Sequence, residues 1–263
     1  MKKKVDEFKK EREHLNEIVM KYAKKHIKRF YNLDTNVYLD GALPRKIKEL
    51  LGLVSSLVLR CDDCIEYHLI TSHENGVTSA EIEEALSIGL IVGGSIVIPH
   101  LRRAFEIWDE LEEKKMKELL EEIESILNSS KEKDKKLKSV CEFLKTNVEH
   151  YDWVGFYIVN STENELILGP FVGEETEHVK IKFGEGICGQ AAERENLFIV
   201  QDVSKESNYL SCSPKVKSEI VVPIFKNEKV IGELDIDSHK TEPFTQWDEE
   251  FLSKVCEMVG QIL

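Results

Sequence analysis

Two of the six cysteines in this 263-residue chain, Cys61 and Cys64, stand three positions apart. A helix places positions i and i+3 on one face. Two thiols so placed can open and close a disulfide with little backbone movement. His68 follows Cys64 by one turn, and a histidine or a helix N-terminus beside a thiol lowers its pKa. Thiol–disulfide exchange needs a nucleophile, a resolving thiol and a proton carrier. Two plainer readings compete. C-x2-C is half of a zinc site, but such a site takes about four ligands. His68, His73 and His100 are available, with no second cysteine pair in this half. Alternatively both cysteines are core residues, as free cysteine often is.

A second group lies in the other half. Glu219, Asp235 and Asp237 interrupt runs that otherwise read apolar. Asp235 and Asp237 are two apart, so in a strand both side chains leave one face. If Glu219 faces the same way from a paired strand, three carboxylates converge. Such a cluster binds a ligand ammonium, holds a cation, or shares a proton at raised pKa. The competing reading is an outward, solvated sheet face. Cys188 and Cys212 precede this region in the chain, and plain core packing is their alternative. Cys141 and Cys256 sit on helical runs beside apolar neighbours and read as core.

The elements that must carry these residues change period along the chain. Apolar residues recur at helical spacing from Val5 to Tyr31 and again from Ile47 to Val58. A helix follows Cys61 to about His73 and ends at Asn75-Gly76. Thr78 and Glu81 open the next helix as a capping box, and another runs from Pro99 through Trp108. The charged stretch Asp109 to Leu137 keeps Leu119, Leu120, Ile123 and Leu127 at helical spacing, with a break at Ser129-Ser130. Val154–Val159, Leu166–Leu168, Val179–Phe183, Phe198–Val203, Glu219–Phe225 and Val230–Ile236 read as strands. A short helix begins near Gly186, and Thr245 caps a final one. The expected fold is multidomain: an all-α helical domain over residues 1–113, then an α+β domain with an antiparallel sheet over 114–263.

A net charge of −13 argues against nucleic-acid partners and against an anionic membrane surface. No apolar run approaches the roughly 20 residues that span a bilayer, and the basic N-terminus leads into a charged helix rather than a signal core. A cytoplasmic location is expected, where thiols are mostly reduced. No cofactor or metal is expected.

Glu49, Cys61-Asp-Asp-Cys64-Ile-Glu-Tyr-His68 and the capped segment Gly76 to Leu86 together resemble the alkyl hydroperoxidase D / carboxymuconolactone decarboxylase family, over roughly residues 35 to 112. The resemblance implies that Cys64 attacks, Cys61 resolves, and His68 with Glu49 relays protons. Asp63 stands where some peroxidase members carry a second histidine. Decarboxylase members lack the cysteine pair.

Trp153-Val-Gly-Phe-Tyr157, Leu168-Gly-Pro-Phe171, Gly186-Ile-Cys188-Gly, Ser218-Glu219-Ile-Val and Asp235-Ile-Asp237 resemble a GAF domain of the free methionine-(R)-sulfoxide reductase type, over about residues 117 to 263. That resemblance implies that Cys212 attacks the sulfoxide sulfur. It makes Glu219, Asp235 and Asp237 the polar wall of the pocket, and Trp153 and Tyr157 its aromatic wall. Where such reductases usually carry a resolving cysteine, ten residues before Cys188, this chain has His178. The expected function is a thiol oxidoreductase. Cys188 and the Cys61–Cys64 dithiol are candidates for recycling Cys212, with free methionine sulfoxide or a hydroperoxide as substrate. An external thiol reductant and a homo-oligomeric assembly are expected partners. The alternative is a GAF domain that senses a small ligand and regulates the dithiol domain.

Overall fold

The computed structural model describes residues 4–210 and 213–263. The chain divides into two compact units, Met1–Lys115 and Met116–Leu263. The first holds α1 (Lys4–Tyr22), α2 (Lys25–Val37), α3 (Arg45–Leu59), α4 (Asp62–Glu74), α5 (Ser79–Gly93) and the start of α6 (Ile98–Asn128). Leu53 and Leu57 of α3, Ile65 and Leu69 of α4, and Ile82 and Leu86 of α5 fill its core. The capping box at Thr78 is present, with Thr78 N donating to Glu81 Oε2 at 2.8 Å and Glu81 N donating back to Thr78 Oγ1.

Two helix boundaries differ from the sequence reading. The run Val5–Tyr31 is two helices, not one, because Lys24 adopts an extended backbone at φ −98°, ψ −170°. Ala and Lys are good helix formers, so nothing local announces the break. It appears where Ala23 turns into the core. The helix starting near Pro99 does not stop at Trp108 but continues to Asn128. Proline is tolerated in the first turn of a helix, where its missing N–H loses no bond. The charged stretch beyond Trp108 still buries Leu111, Met116, Ile123 and Leu127.

The second unit contains α7 (Lys133–Asn147), β1 (Trp153–Asn160), β2 (Glu165–Val172), β3 (Lys180–Lys182), α8 (Gly186–Arg194), β4 (Phe198–Val200), β5 (Ser218–Lys226), β6 (Lys229–Ser238) and α9 (Gln246–Ile262). The strands form one antiparallel sheet in the order β3-β2-β1-β6-β5-β4. The segment expected as a strand to Val203 leaves the sheet after Val200 and forms a 3-10 turn at Val203–Lys205, where Asp202 accepts from Ser204 N. Alternate residues divide the sheet into two faces. Val154, Phe156, Ile220, Val222, Leu234 and Ile236 pack in one core with α7 and α9, and Cys141 and Cys256 are buried there as expected. The opposite face lies under α8.

Asp248 anchors α9 to the turn before β1. Tyr151 Oη donates to Asp248 Oδ1 at 2.8 Å, His150 Nε2 lies 2.9 Å from the same oxygen, and Thr245 N donates to Oδ2 at 2.8 Å. Burial pushes this carboxyl up, but the bonds from His150, Thr245 and Tyr151 outweigh it and hold the pKa below its ordinary value. A depressed acid stabilises the fold above its unfolded pKa, and that contribution is lost as pH falls through the folded value. Asp248→Ala is expected to cost about 2–4 kcal/mol, because it removes a cap and strands a buried hydroxyl. Urea denaturation at neutral pH reads it, and a loss under about 0.5 kcal/mol would rule this anchor out as a major one.

Candidate functional site

In the first unit, Arg60 ends α3 in the left-handed region at φ 60°, turning the chain so that Cys61 caps α4. Cys64 is the third residue of that helix, so both sulfurs sit at its N-terminus, where unpaired N–H groups favour a thiolate. The two Sγ atoms are at disulfide distance, with Cα atoms 5.2 Å apart. His68 lies one turn further on. Its Nδ1 is 2.8 Å from Oε2 of Glu49, which is fully buried on α3. With Nδ1 hydrogen-bonded to Glu49 the ring is held in place, and Nε2 is left without that bond. A cavity of about 480 Å³ beside the ring is lined by Val37, Tyr38, Leu51, Gly52 and Ser56. Burial, and then the Glu49 charge, raise the Tyr38 hydroxyl above its ordinary pKa.

Two of the histidines weighed for a zinc site have acidic partners of their own. His73 faces Glu112 and His100 faces Asp62. Among the described residues, no group of three potential ligands includes Cys61 or Cys64.

Gly52 makes room for the histidine. A Cβ there would stand 2.5 Å from His68 Cε1 and 2.7 Å from Nε2. Gly52→Ala is therefore expected to swing the ring off Glu49 and slow exchange with an external disulfide by roughly tenfold or more. Imidazole NMR of His68 and stopped-flow exchange check the two halves of this expectation. An unmoved ring with an unchanged rate would contradict it.

In the second unit, three rungs cross β1, β6 and β5. Trp153 pairs with Asp237, which pairs with Glu219. Gly155 pairs with Asp235, which pairs with Val221. Tyr157 pairs with Glu233, which pairs with Pro223. Directly opposed residues in an antiparallel pair share a face, so aromatic groups and carboxyls meet on the side under α8. Glu219, Glu233, Asp235 and Asp237 are all buried, which excludes the solvated-face reading. Glu233 was not among the residues singled out from the sequence. The signal was present, since Glu233, Asp235 and Asp237 alternate with period two.

The aromatic wall is fixed by its polar ends. Trp153 Nε1 donates to the Glu174 carbonyl at 3.0 Å, and Tyr157 Oη donates to the His178 carbonyl at 2.9 Å. Gly155 makes room for the Trp153 ring, and a Cβ there would come within 2.2 Å of it. A cavity of about 120 Å³ is lined by Trp153 and Asp237 together with Lys145, Asp152, Ser213 and His239.

Cys188, on α8, lies 3.7 Å from Glu219 Oε1. Burial, and then Asp235, Glu233 and Glu219, push its thiol well above the ordinary value. Burial also raises all four acids. Asp235 is pushed up to about 7. For Glu219 the neighbours Asp235, Asp237 and Glu233 add to burial, for Glu233 it is Asp235, and for Asp237 it is Asp235 and Asp152. Cys212, the expected nucleophile, lies outside the described residues.

Residues 25–107 match the carboxymuconolactone decarboxylase family, and residues 137–263 match the GAF domain. A GAF domain-containing protein A from Dictyostelium discoideum is 38% identical over 154 residues, which cover 59% of this chain and 96% of that protein. The chain joins a carboxymuconolactone decarboxylase-family domain to a GAF domain. The GAF domain is also similar to the free methionine-R-sulfoxide reductase of Saccharomyces cerevisiae, 44% identical over 112 residues, 42% of this chain and 62% of that protein. It is similar again to the solved free methionine-R-sulfoxide reductase of Neisseria meningitidis in complex with its substrate. That likeness has 34% identity and a TM-score of 0.53, over 56% of this chain and 86% of the other. Among the described residues, no helix is long and apolar enough to cross a membrane.

Proposed function

We propose that the GAF domain reduces free methionine-(R)-sulfoxide and that the helical domain supplies a dithiol to it. What carries the reading is the set of buried carboxyls on the Trp153 and Tyr157 face, in a domain whose relatives are named as reductases of this substrate. The acid rungs take the substrate's ammonium group, and the aromatic wall takes its methyl-sulfur end. The Cys212 thiol attacks the sulfoxide sulfur, an adjacent carboxyl protonates the oxygen, and methionine leaves with Cys212 as a sulfenic acid.

Recycling then needs two thiols. One joins Cys212 as a mixed disulfide and releases water. The second displaces Cys212 as a free thiol and leaves its own pair as a disulfide. With His178 at the usual resolving position, Cys61 and Cys64 take that part, Cys188 being the other candidate, and an external thiol restores the pair. The same dithiol reduces a hydroperoxide if Cys64 takes one oxygen, releases the alcohol, and is closed by Cys61 with loss of water.

The test is the full chain with racemic L-methionine sulfoxide and a thiol reductant. Loss of the R epimer alone, with stoichiometric methionine, supports the reading. Calorimetric binding without loss of sulfoxide would replace it by the ligand-sensor reading. Unchanged multiple turnover in Cys61→Ser/Cys64→Ser would sink the relay while leaving the reductase intact.

We also propose that the helical domain assembles with copies of itself. No residue of α2 is buried, and Phe30, Leu33, Ile88, Ile91 and Val92 are exposed. Such apolar exposure marks an interaction surface. Light scattering is expected to give a multiple of 30.3 kDa, reduced by Phe30→Asp/Ile91→Asp. A monomeric starting protein would refute the assembly.

A further inference from the structure

Cys188, Glu219 and Asp235 bring a sulfur and two carboxylate oxygens within 4.8 Å of one another, and all three side chains are buried. The neighbouring rungs add Glu233 and Asp237. Both oxygens of each lack a hydrogen-bond partner, as does Asp235 Oδ1. Glu233 has no exposed surface, and its carboxyl lies beside the Cys188 thiol. Among the described residues, no lysine, arginine or histidine pairs with any of these four acids. Buried polar groups are otherwise almost always bonded, so the unpartnered Asp235 oxygen beside the Cys188 sulfur and the Glu219 carboxyl calls for a cation.

The sulfur decides which kind. An ammonium group is satisfied by the carboxylates and has no use for a buried thiol. Calcium and magnesium take oxygen ligands. A thiolate with two or more carboxylates is a donor set for a borderline divalent transition ion, and zinc accepts sulfur and carboxylate oxygen together in four-coordinate geometry. We propose that Cys188, Glu219 and Asp235 form a three-ligand binding site for a zinc-class divalent metal ion. Binding releases the thiol proton and leaves no redox change at the sulfur. An ion held there occupies the acid rungs, so it excludes any cationic ligand from the same pocket. The site requires no turnover and stands whether or not the domain reduces sulfoxides.

The test uses the full chain carrying Cys61→Ser/Cys64→Ser, so that the first thiol pair contributes nothing. Zinc chloride is titrated against a chromophoric chelator, and cobalt(II) is added separately to report sulfur ligation by its near-ultraviolet charge-transfer band. About one zinc per chain and a cobalt–thiolate band are expected. Cys188→Ser should abolish the band, and Asp235→Asn and Glu219→Gln should each weaken zinc at least about tenfold. Circular dichroism of each variant separates loss of the site from loss of the fold, and the two acid variants keep the test open if Cys188→Ser unfolds. Absence of stoichiometric zinc would overturn the site. So would a band that survives Cys188→Ser and disappears in Cys212→Ser.

Discussion

Asp237→Asn and Glu219→Gln are each expected to lower kcat/KM for free methionine-(R)-sulfoxide by at least about 100-fold, and at the same time to raise the melting temperature of the unliganded chain. The two effects have one cause. On the outer rung Asp237 is paired with Glu219 and Trp153, and neither oxygen of Asp237 has a partner. Lys145 and His239 line the same cavity, but among the described residues no cation pairs with either acid, so the ligand's ammonium takes that place. Removing one carboxylate from a buried charge-assisted contact costs about 1.5–3 kcal/mol for the bond alone, and each 1.36 kcal/mol in a barrier is tenfold in rate. Loss of a proton donor for the departing oxygen adds to that. The amide variants keep the shape but remove a crowded buried acid, so the empty fold gains stability as activity is lost. Steady-state kinetics and thermal denaturation on the same preparation check the pair. Activity within about threefold of the parent would remove these acids from the site. A fall in activity together with a fall in melting temperature would mark mere structural damage.

Much of this arrangement was legible in the sequence, and for identifiable reasons. Period two put Asp235 and Asp237 on one face, and the β5–β6 register then delivered Glu219 opposite Asp237. Helical spacing placed Cys61, Cys64 and His68 on one segment, and the capping box at Thr78 is written in adjacent residues. What escaped was decided by contacts distant in the chain. Cys188 meets Glu219 across 31 positions because α8 packs over β5 and β6, which no local pattern specifies. Glu233 shares the period of Asp235 but reads as an ordinary surface glutamate beside a hairpin until Tyr157 and α8 cover it. The break at Ala23–Lys24 and the unbroken α6 are likewise tertiary outcomes, since the local propensities there permit either result.

The metal-free, ligand-free chain is expected to be more stable near pH 5 than near pH 8, against the usual preference for neutral solution. Asp235 is surrounded by Glu233 and Asp237 on its own strand, Glu219 on β5, Cys188 on α8 and Tyr157 on β1, with Asp152 facing Asp237. None of these offers a positive charge; Lys145 and His239 line the cavity at Asp237 and contact Asp152, but pair with none of the four acids. Burial raises Asp235 to about 7 and moves Glu219, Glu233 and Asp237 in the same direction. An unfolded aspartate titrates near 4. Between that pH and about 7 the native state keeps a proton that the unfolded chain has released, so stability falls as pH rises through this window. Each unit of difference is worth about 1.4 kcal/mol, and a domain of this size loses about 2–4 °C in melting temperature for each kcal/mol. The stabilisation from Asp248 has the opposite sign, and it is already in place by pH 5, above the ordinary aspartate range. Thermal denaturation with a chelator present, at pH 5, 6, 7 and 8, should therefore show a midpoint falling by several degrees. L-methionine sulfoxide should restore more of the midpoint at pH 8 than at pH 5, because its ammonium neutralises carboxylates that are charged only at the higher pH. A midpoint that holds or rises from pH 5 to pH 8 would mean that these four acids are ionised in the native state and already have a cationic partner.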